Sequence, residues 1–474
     1  MFTKRKPLGF PIGVPSGQEL YSDFCVGVLS RAVETIRTIS AILVLVTLTI
    51  PASATDPPSL PNPLSLSQAL TVALSNNSLL RTAQSQLEQA SGRYLQSRSQ
   101  LLPQVDFNAH QAYLTINLRG LGLDIPGSPE GKIGPFGSGD ARIALRQDLL
   151  NIASLQAWKS ARSRQDSVRL LVDDAREVVV LNVVAAYLQA LRAKAWRDSL
   201  TEQTKLADDL HNLTQDRVKH GVSASLEANR ALQQVNSLEQ QRQEAEESYT
   251  SAKLTLANLL QTAITSDYDV EDVAAYGADT PSDRHAAVDS ALASRPDYRS
   301  AEANVKAAEL QIRSVKAYRL PTVDVSFSDG QSGASLAENV NTYRLTGGIS
   351  IPIFTGGRIR GQIDEAEGVL HDAQANMAQL RSRIETDVLT ALTGVEWAVK
   401  EVVTSAGNVK LSREEVDLSR QRFSQGITDN TEVVNAQDRV SKADDARVRA
   451  MYTLGLARAN LARAMGTAEK TYRK

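Results

Sequence analysis

Residue types that carry out chemistry are present in this chain, but their spacing forms no recognisable catalytic or metal site. Histidine, a common metal ligand and general base, occurs at five positions, namely His110, His211, His220, His285 and His371. No two of these lie four residues apart, so no helix presents the histidine pair of H-E-x-x-H zinc proteins. The G-x-S-x-G pattern of a serine nucleophile and the Walker-type phosphate loop are also missing from the sequence. The sequence therefore predicts a protein that is not an enzyme and has no cofactor or metal.

Carboxylates are plentiful, and most of them lie in long helical patterns, where they form solvated faces. Asp106 and Asp324 are different, because each lies in a short segment in which polar and apolar residues alternate. We interpret these two residues as the lining of a pore rather than as an acid–base pair. The chain has a net charge of −2, so it has no basic excess that would attract nucleic acid.

One set of residues occurs twice in the chain with the same spacing. In RVKHGVSASLE, Arg217 is followed by Gly221 after four residues and by Glu227 after six more. In RFSQGITDNTE, residues 422–432, arginine, glycine and glutamate have the same spacing, and the two copies lie 205 residues apart. Glycine tolerates the left-handed conformation that ends a helix, so each stretch is predicted to be the tip of a helical hairpin. The apolar residue after each glycine indicates that the tips dock on a partner.

The tips belong to a longer duplication. Around Leu102-Pro103 and Leu320-Pro321 the two copies align without a gap at an offset of 218 residues. Later segments align at an offset of 205, and the difference of 13 residues falls in the loop between them. Two copies indicate a duplication rather than a solenoid. The predicted divisions are a leader at 1–54, a first repeat at 55–283 and a second repeat at 284–474.

Each copy predicts the same order of elements, which makes the fold mainly α with a small β part. A first helix ends at Leu-Pro, because proline cannot continue a helix. Two segments with a period of two follow, and they predict four strands per chain, each of about nine to eleven residues. The alternation slips near His110 to Ala112, where we expect a bulge. Loops rich in glycine are predicted at 119–140 and 331–341.

A very long helix, a glycine tip and a shorter return helix complete each copy. The long helix of the second copy carries a heptad seam, which is typical of coiled coils or of the wall of a tube. The seam residues are Val388, Leu392, Val395, Val399 and Val402. The predicted helices are 66–101, 152–218 and 222–262 in the first copy and 284–319, 357–423 and 428–466 in the second.

The N-terminus is predicted to be a targeting signal. Basic residues precede the apolar run ISAILVLVTLTIPASA, and Ala52-Ser53-Ala54 matches the small-x-small pattern of a signal-peptidase site. Cys25 is the only cysteine and precedes this site, so the exported chain is expected to lack disulfides. No later stretch approaches 18 consecutive apolar residues, so no transmembrane helix is predicted. We interpret residues 1–54 as a signal peptide with a long N-terminal extension.

The four predicted strands constrain the function. Four strands cannot close a barrel, and lipid does not tolerate an open sheet edge. Three copies of the chain would supply twelve strands and a wide pore. A soluble periplasmic coiled-coil adaptor or structural protein is the main alternative that the residues leave open, and an exported helical hydrolase is another.

The order of elements, repeated twice after a signal peptide, resembles the TolC-type outer-membrane efflux proteins, also called outer membrane factors. The two Leu-Pro junctions and the two R-x-x-x-G-[VI]-[ST] tips carry the resemblance. It implies a homotrimer in the outer membrane of a Gram-negative-type bacterium, with a twelve-stranded β-barrel in the outer-membrane lipid and a periplasmic α-barrel tunnel. It also implies a passive exit duct of a tripartite efflux or type I secretion system. A periplasmic adaptor (membrane fusion) protein would link the duct to an inner-membrane pump of the RND, ABC or MFS type, with drugs, metal cations or polypeptides as cargo.

The resemblance also implies roles for the tips. Glu432 falls at the first acidic ring of the family's periplasmic gate and Asn435 at the second, which predicts mild cation selectivity. Glu227 and Phe423 match positions that tie neighbouring hairpins together in the closed state. The family's basic partner falls on Thr428, so its salt bridge is expected to be missing. The residues expected to dock on the adaptor are Arg217, Gly221, Val222, Ser223, Arg422, Gly426, Ile427 and Thr428.

Overall fold

The computed structural model describes residues 60–122, 131–264, 267–272, 281, 283–335 and 338–473. The predicted signal peptide and the middle of the first glycine-rich loop lie outside the described residues. The described part is mainly helical with one small sheet, as the sequence predicted. The helices are α1 Leu66–Asn76, α2 Ser78–Ser99, α3 Ile152–Lys219, α4 Ser225–Leu260, α5 Arg284–Ser294, α6 Pro296–Ala317, α7 Arg358–Ser424, α8 Asn430–Ala464 and α9 Ala468–Tyr472. The strands are β1 Gln104–Asn117, β2 Lys132–Leu150, β3 Thr322–Gly333 and β4 Asn339–Ser350.

The helix predicted at the start of each copy is in fact two helices. Asn77 has an extended backbone between α1 and α2, and its side chain accepts a hydrogen bond of 2.9 Å from the Leu79 N–H, which starts the new helix. Arg295 separates α5 from α6, because Pro296 disfavours the helical conformation in the residue before it. The prediction of one continuous helix was therefore wrong in both copies.

The four strands form one antiparallel sheet in the order β1-β2-β3-β4. The central β2-β3 pair joins the two copies of the repeat. The strands have 12 to 19 residues and are longer than predicted, so many residues assigned to the glycine-rich loops lie in strands instead. The bulge predicted at His110 to Ala112 is wrong, because these residues pair regularly and the irregularity lies between Leu114 and Ile116.

The two faces of the sheet differ in polarity. One face carries a row of directly paired apolar residues, one from each strand, namely Val105, Leu145, Phe327 and Leu345. The neighbouring row on the other face consists of Asp106, Ala144, Ser328 and Arg344. Asp324 lies four residues from Ser328 along β3, so it shares the polar face with Asp106. The alternation in the sequence thus placed both aspartates on one side of the sheet.

The long helices α3 and α7 have 68 and 67 residues, and at about 1.5 Å per residue each is roughly 100 Å long. The return helix α4 packs along α3, and α8 packs along α7, so each copy forms a helical hairpin. By length and composition, α3 contains one stretch that is apolar enough to cross a membrane, but half of that stretch is buried inside the protein. Residues of α3 between Val179 and Leu191 pack in the main core with α1 and α4. The composition of α3 therefore fits a core helix.

The predicted heptad seam on α7 is correct only in its first half. Val388, Leu392 and Val395 are buried and pack against α5. Val399 is 42% exposed, and Ala398 is buried in its place. A straight helix drifts relative to a repeat of 3.5 residues, so the buried stripe moves to the neighbouring position.

Helices α3 and α6 approach each other through small residues. Ser160 and Ser163 of α3 donate hydrogen bonds to the carbonyl oxygens of Ala307 and Ala303, at 2.8 and 2.9 Å. Ser314 of α6 donates in the other direction, to α3, at 2.8 Å. The serine seam, as we call this contact, comprises Ser160, Ser163 and Ser167 of α3 and Ser300 and Ser314 of α6. It joins the two copies of the repeat beside the β2-β3 pair.

Candidate functional site: the paired helical tips

Both predicted tips are helix ends that close on a glycine in the left-handed conformation, with φ of +70° at Gly221 and +71° at Gly426. The Val222 N–H donates a hydrogen bond of 2.9 Å to the Arg217 carbonyl oxygen, and the second tip repeats this bond at 3.0 Å. This is the Schellman arrangement, in which the residue after the glycine closes onto the last helical turn. The carbonyl group that accepts this bond belongs in both tips to the arginine four residues before the glycine.

The apolar residue that follows each glycine is exposed. Val222 is 64% exposed and Ile427 is 62% exposed. Ser223 and Thr428, the next residues along the chain, are half-buried. A partner that covers the tips would therefore remove apolar side chains from water.

Glu432 has two partners at the second tip. The Arg422 Nε lies 3.3 Å from one carboxylate oxygen, and the Thr428 hydroxyl donates to the other at 2.5 Å. Thr428 therefore takes part in its own hairpin, in place of the bridge that the resemblance had associated with this position. Asn435 lies three residues further along α8 and is exposed.

Arg217 of the first tip contacts Phe423 of the second. Its guanidinium lies over the aromatic ring, and its Nη1 donates a hydrogen bond to the Phe423 carbonyl oxygen. The Phe423 ring is buried against Leu210 of α3 and Val433 of α8. The two hairpins are thus held together by a cation, a ring and a shared apolar cluster.

Two more hydrogen bonds join the tips. The Asn430 side chain donates to the Glu227 carbonyl oxygen at 3.1 Å, and Arg230 Nη1 donates to the Thr431 hydroxyl at 2.8 Å. Glu227 and Phe423 both lie at the contact between the hairpins, but Glu227 takes part through its backbone. Asn430 is fully buried at this contact, although it is a polar residue.

The structure gives Arg217 a role that the sequence did not predict. The resemblance implied that Arg217 docks on the adaptor, which stays a prediction, and in the structure Arg217 contacts the other hairpin of its own chain. A signal was available, because position 423 aligns with Val218 at the offset of 205, and an aromatic residue stands in only one of the copies. Arg422, the equivalent arginine of the second tip, pairs instead with Glu432 of its own tip.

A buried charge cluster lies far from the tips, where α5 meets α6. Arg295 is almost completely buried, and its Nη2 lies 2.7 Å from Asp297 while its Nη1 lies 3.3 Å from Asp387. Burial by itself would raise the pKa of Asp297, but the hydrogen bonds and charge of Arg295 hold this pKa below its usual value. Nearby, Arg463 pairs with Asp174 at 2.6 Å. This cluster fixes the break between α5 and α6 against α7 and α8.

The part of the chain that the structure describes contains no group of three or more histidine, cysteine, aspartate or glutamate residues that could hold a metal ion. The candidate site is a set of contacts between two helical tips. Such contacts can hold a passage closed and can bind a partner.

Two long helical hairpins joined to a four-stranded sheet with one apolar face define a channel-tunnel protein. The fold is similar to that of the outer-membrane channel CmeC of Campylobacter jejuni, with a TM-score of 0.73 at 17% identity over 85% of this chain and 86% of that chain. It is also similar to VceC of Vibrio cholerae, with a TM-score of 0.73 at 18% identity over 85% of this chain and 96% of that chain.

The sequence is 25% identical over 415 residues to the pyoverdine export outer membrane protein OpmQ of Pseudomonas putida. The aligned residues cover 84% of this chain and 85% of OpmQ. It is 24% identical over 396 residues to the toluene efflux pump outer membrane protein TtgF of the same species, covering 78% of this chain and 76% of TtgF. The model of the outer membrane efflux protein family matches residues 69–262 and 287–467. The chain belongs to the outer membrane efflux protein family.

This membership confirms the resemblance inferred from the two tips and the two Leu-Pro junctions. It places the protein in the outer membrane, as an exit duct of an efflux system. The family is one of channels and not of enzymes. The alternative of a soluble periplasmic adaptor is therefore excluded, and the family gives no support to an exported hydrolase.

Proposed function

We propose that the protein is a passive homotrimeric duct, through which an inner-membrane pump exports its cargo by way of a periplasmic adaptor. The open sheet is the observation that carries this proposal. Among the described residues, β1 and β4 each pair with only one strand, and an unpaired strand edge is not tolerated in lipid. If β1 of one copy pairs with β4 of the next, three copies form a closed barrel of twelve strands. The apolar face of the sheet would then contact lipid, and the polar face with Asp106 and Asp324 would line the pore.

Exposed apolar side chains on the outer helices support the same assembly. Helix α7 exposes large apolar residues at intervals close to a heptad, namely Leu389, Trp397, Val403, Leu411 and Leu418. At the other side of the chain, α4 exposes Leu226, Leu232 and Leu254. The apolar row on α7 has the character of an interaction surface. A second copy of the chain is the proposed occupant, because α4 of one copy and α7 of the next would meet in a closed ring.

The paired tips would form the periplasmic mouth of the tunnel and its gate. Three copies of Glu432 would make a negative ring that favours cations. Asn435, which is uncharged, would leave the next ring neutral, so the selectivity would be mild. The contact between Arg217 and Phe423 would hold each pair of tips together in the closed state, and opening would require this contact to break.

The exposed tip surface is the proposed docking site of the adaptor. Val222 and Ile427 offer an apolar contact to a partner at the mouth. Gly221 and Gly426 keep the chain reversal narrow, so both apolar residues stay accessible at the end of the hairpin. The pump on the other side of the adaptor would be of the RND, ABC or MFS type.

The mass of the detergent-extracted protein from purified outer membranes tests the assembly. We expect a stable trimer for the wild type. Leu411→Asp should dissociate the trimer, because it places a carboxylate in the proposed contact between copies. Leu411→Met keeps the surface apolar and should remain trimeric. A monomer in wild-type outer membranes, or in the soluble periplasm of cells that export the chain, would contradict the proposal.

A further inference from the structure

We propose that a groove in the upper wall of the tunnel binds an anionic group of the transported cargo, such as a carboxylate or a phosphate. The groove encloses a cavity of about 390 Å³ between α2, α3 and α6. Arg93 of α2 and Arg164 of α3 line it together with the amide side chains of Asn304 and Gln311 of α6. We call this cavity the arginine groove. The inference rests on the proposed function, because the groove meets cargo only if the wall encloses a tunnel.

The lining of the arginine groove has the chemistry of an anion site. It contains two guanidinium groups and no aspartate or glutamate. Three other cavities of the described residues each have at least one carboxylate in their lining, such as Asp444, Glu244 and Asp387. Guanidinium groups bind carboxylates and phosphates through paired, charge-assisted hydrogen bonds. An anion that enters the groove therefore meets donors and positive charge without a competing carboxylate in the lining.

Short side chains give the groove its depth. Ala90 of α2 and Ala157 and Ala161 of α3 lie in the lining and leave room above the backbone. Ser160 and Ser167 of the serine seam also line the cavity, and their hydroxyls are already hydrogen-bonded to α6. The seam fixes the distance between α3 and α6, so the floor of the groove is held in place before a ligand arrives.

In the proposed tunnel the groove would lie on the concave side of the wall. Helix α3 is the middle helix of the three, since its Gln165 donates to Ser91 of α2 at 2.8 Å and its Ser163 donates to Ala303 of α6 at 2.9 Å. A cavity that touches three adjacent helices at once lies where the outer two lean towards each other. In the proposed closed tunnel that side would face the lumen. Lys159 and Arg162 lie outside the lining, on the other exposed face of α3.

The groove and the proposed gate lie at opposite ends of the tunnel. Ser97 of the groove lies seven residues before the start of β1 at Gln104, so the groove is close to the sheet. Arg164 and Arg217 are 53 residues apart on one helix, which at about 1.5 Å per residue is roughly 80 Å. A cargo with both cationic and anionic groups would therefore meet a negative ring first and a positive groove later.

Citrate binding tests the groove directly. Isothermal titration of citrate into the detergent-solubilised full-length protein at low salt should show binding by the wild type. R93Q/R164Q should weaken it by at least about tenfold, because charge-assisted hydrogen bonds are lost. The matched control K159Q/R162Q removes the same charge from the opposite face of α3 and should bind citrate like the wild type. No binding by the wild type, or an equal loss in the control, would overturn the proposal.

Conductance measurements in planar bilayers distinguish an anion that reaches the groove from solution from an anionic lipid headgroup. Citrate in the aqueous phase should reduce the conductance of the wild type and leave R93Q/R164Q unaffected. If citrate has no effect, while the two channels differ only when phosphatidylglycerol is added to the bilayer, the groove faces lipid and the cargo proposal is wrong. If the wild type forms no pore but still binds citrate through Arg93 and Arg164, the duct fails as the proposed function while the anion site itself remains.

Discussion

The guanidinium carbon of Arg217 lies 4.5 Å from the centroid of the Phe423 ring. The Nη1 of the same arginine donates a hydrogen bond of 3.1 Å to the Phe423 carbonyl oxygen. One side chain of the first tip therefore holds both the ring and the backbone of the second. Because Phe423 closes an apolar cluster with Val433, this contact also determines how the last turn of α7 packs on the start of α8.

Removal of this contact should favour the open mouth. A cation–π contact and a hydrogen bond from a charged group each contribute about 1 to 2 kcal/mol. Arg217→Ala should therefore raise the open fraction of the resting channel by about tenfold or more, measured as open probability in planar bilayers. Lys219→Ala, an exposed position two residues further on, should behave like the wild type. An equal increase in both variants would show that charge at the tip, and not the contact with Phe423, controls opening.

Substitutions in the acidic ring should change ion selectivity. In water, a unit charge about 4 Å from a passing ion contributes about 1 kcal/mol, so Glu432→Gln should lower the ratio of cation to anion permeability several-fold. It also frees the positive charge of Arg422, which acts in the same direction. Asn435→Asp adds a second ring and should raise the ratio. Reversal potentials in a potassium chloride gradient measure both changes, and opposite signs from those expected would exclude these residues from the pore.

The buried pair of Arg295 and Asp297 should make stability depend on acid. The folded pKa of Asp297 lies below its unfolded value of about 4, so its contribution is present above that value and is lost as pH falls through the folded pKa. Asp297→Asn should lower the unfolding free energy by about 3 kcal/mol at pH 7, because Arg295 loses its nearest partner. As the pH falls below 4, the unfolding free energy of the variant should also decrease less than that of the wild type.

Denaturant titrations at pH 7 and below pH 4 measure this difference. Asp289→Asn, at an exposed position of α5, should match the wild type at every pH. If Asp297→Asn and the wild type had the same slope below pH 4, Asp297 would not be the group responsible.

The serine seam should tolerate loss of a hydroxyl better than added bulk. Ser160→Ala removes one buried hydrogen bond and should cost about 1 kcal/mol. Ser160→Leu forces α3 away from α6 and should cost about 1 to 3 kcal/mol more. Lys159→Leu places the same side chain on an exposed face and should have little effect. The midpoint of denaturant unfolding ranks the stability of the three variants. If Ser160→Leu lost no more stability than Lys159→Leu, the seam would not be closely packed.

The tips could be predicted from sequence because their conformation is local. Gly221 and Gly426 adopt the left-handed conformation that ends a helix, and one backbone hydrogen bond closes each tip within six residues of the chain. The contact of Arg217 with Phe423 joins residues 206 positions apart, so it depends on how two hairpins meet. Local sequence contains no information about that relative placement.

Other predictions of helix and strand bounds were wrong because a longer sequence pattern concealed a local signal. Asn77 and Pro296 each begin a new helix, but the long apolar periodicity on both sides favoured one continuous helix. The strands were predicted too short because glycine has no side chain to show a period of two. Gly330 lies in β3 where a Cβ would overlap the backbone of Ala141 and Arg142 in the neighbouring strand, so its presence reflects close approach and not a loop.

The duplication has a consequence for symmetry. A ring of six identical single-repeat chains would carry the same tip six times, and a change made for closing would also alter docking. Two repeats in one chain make alternate tips independent, since Val218 stands in one where Phe423 stands in the other. In a ring of three such chains the mouth would alternate between two kinds of tip. Substitutions can then change the closing contact in one set of tips while the other set keeps its surface for a partner.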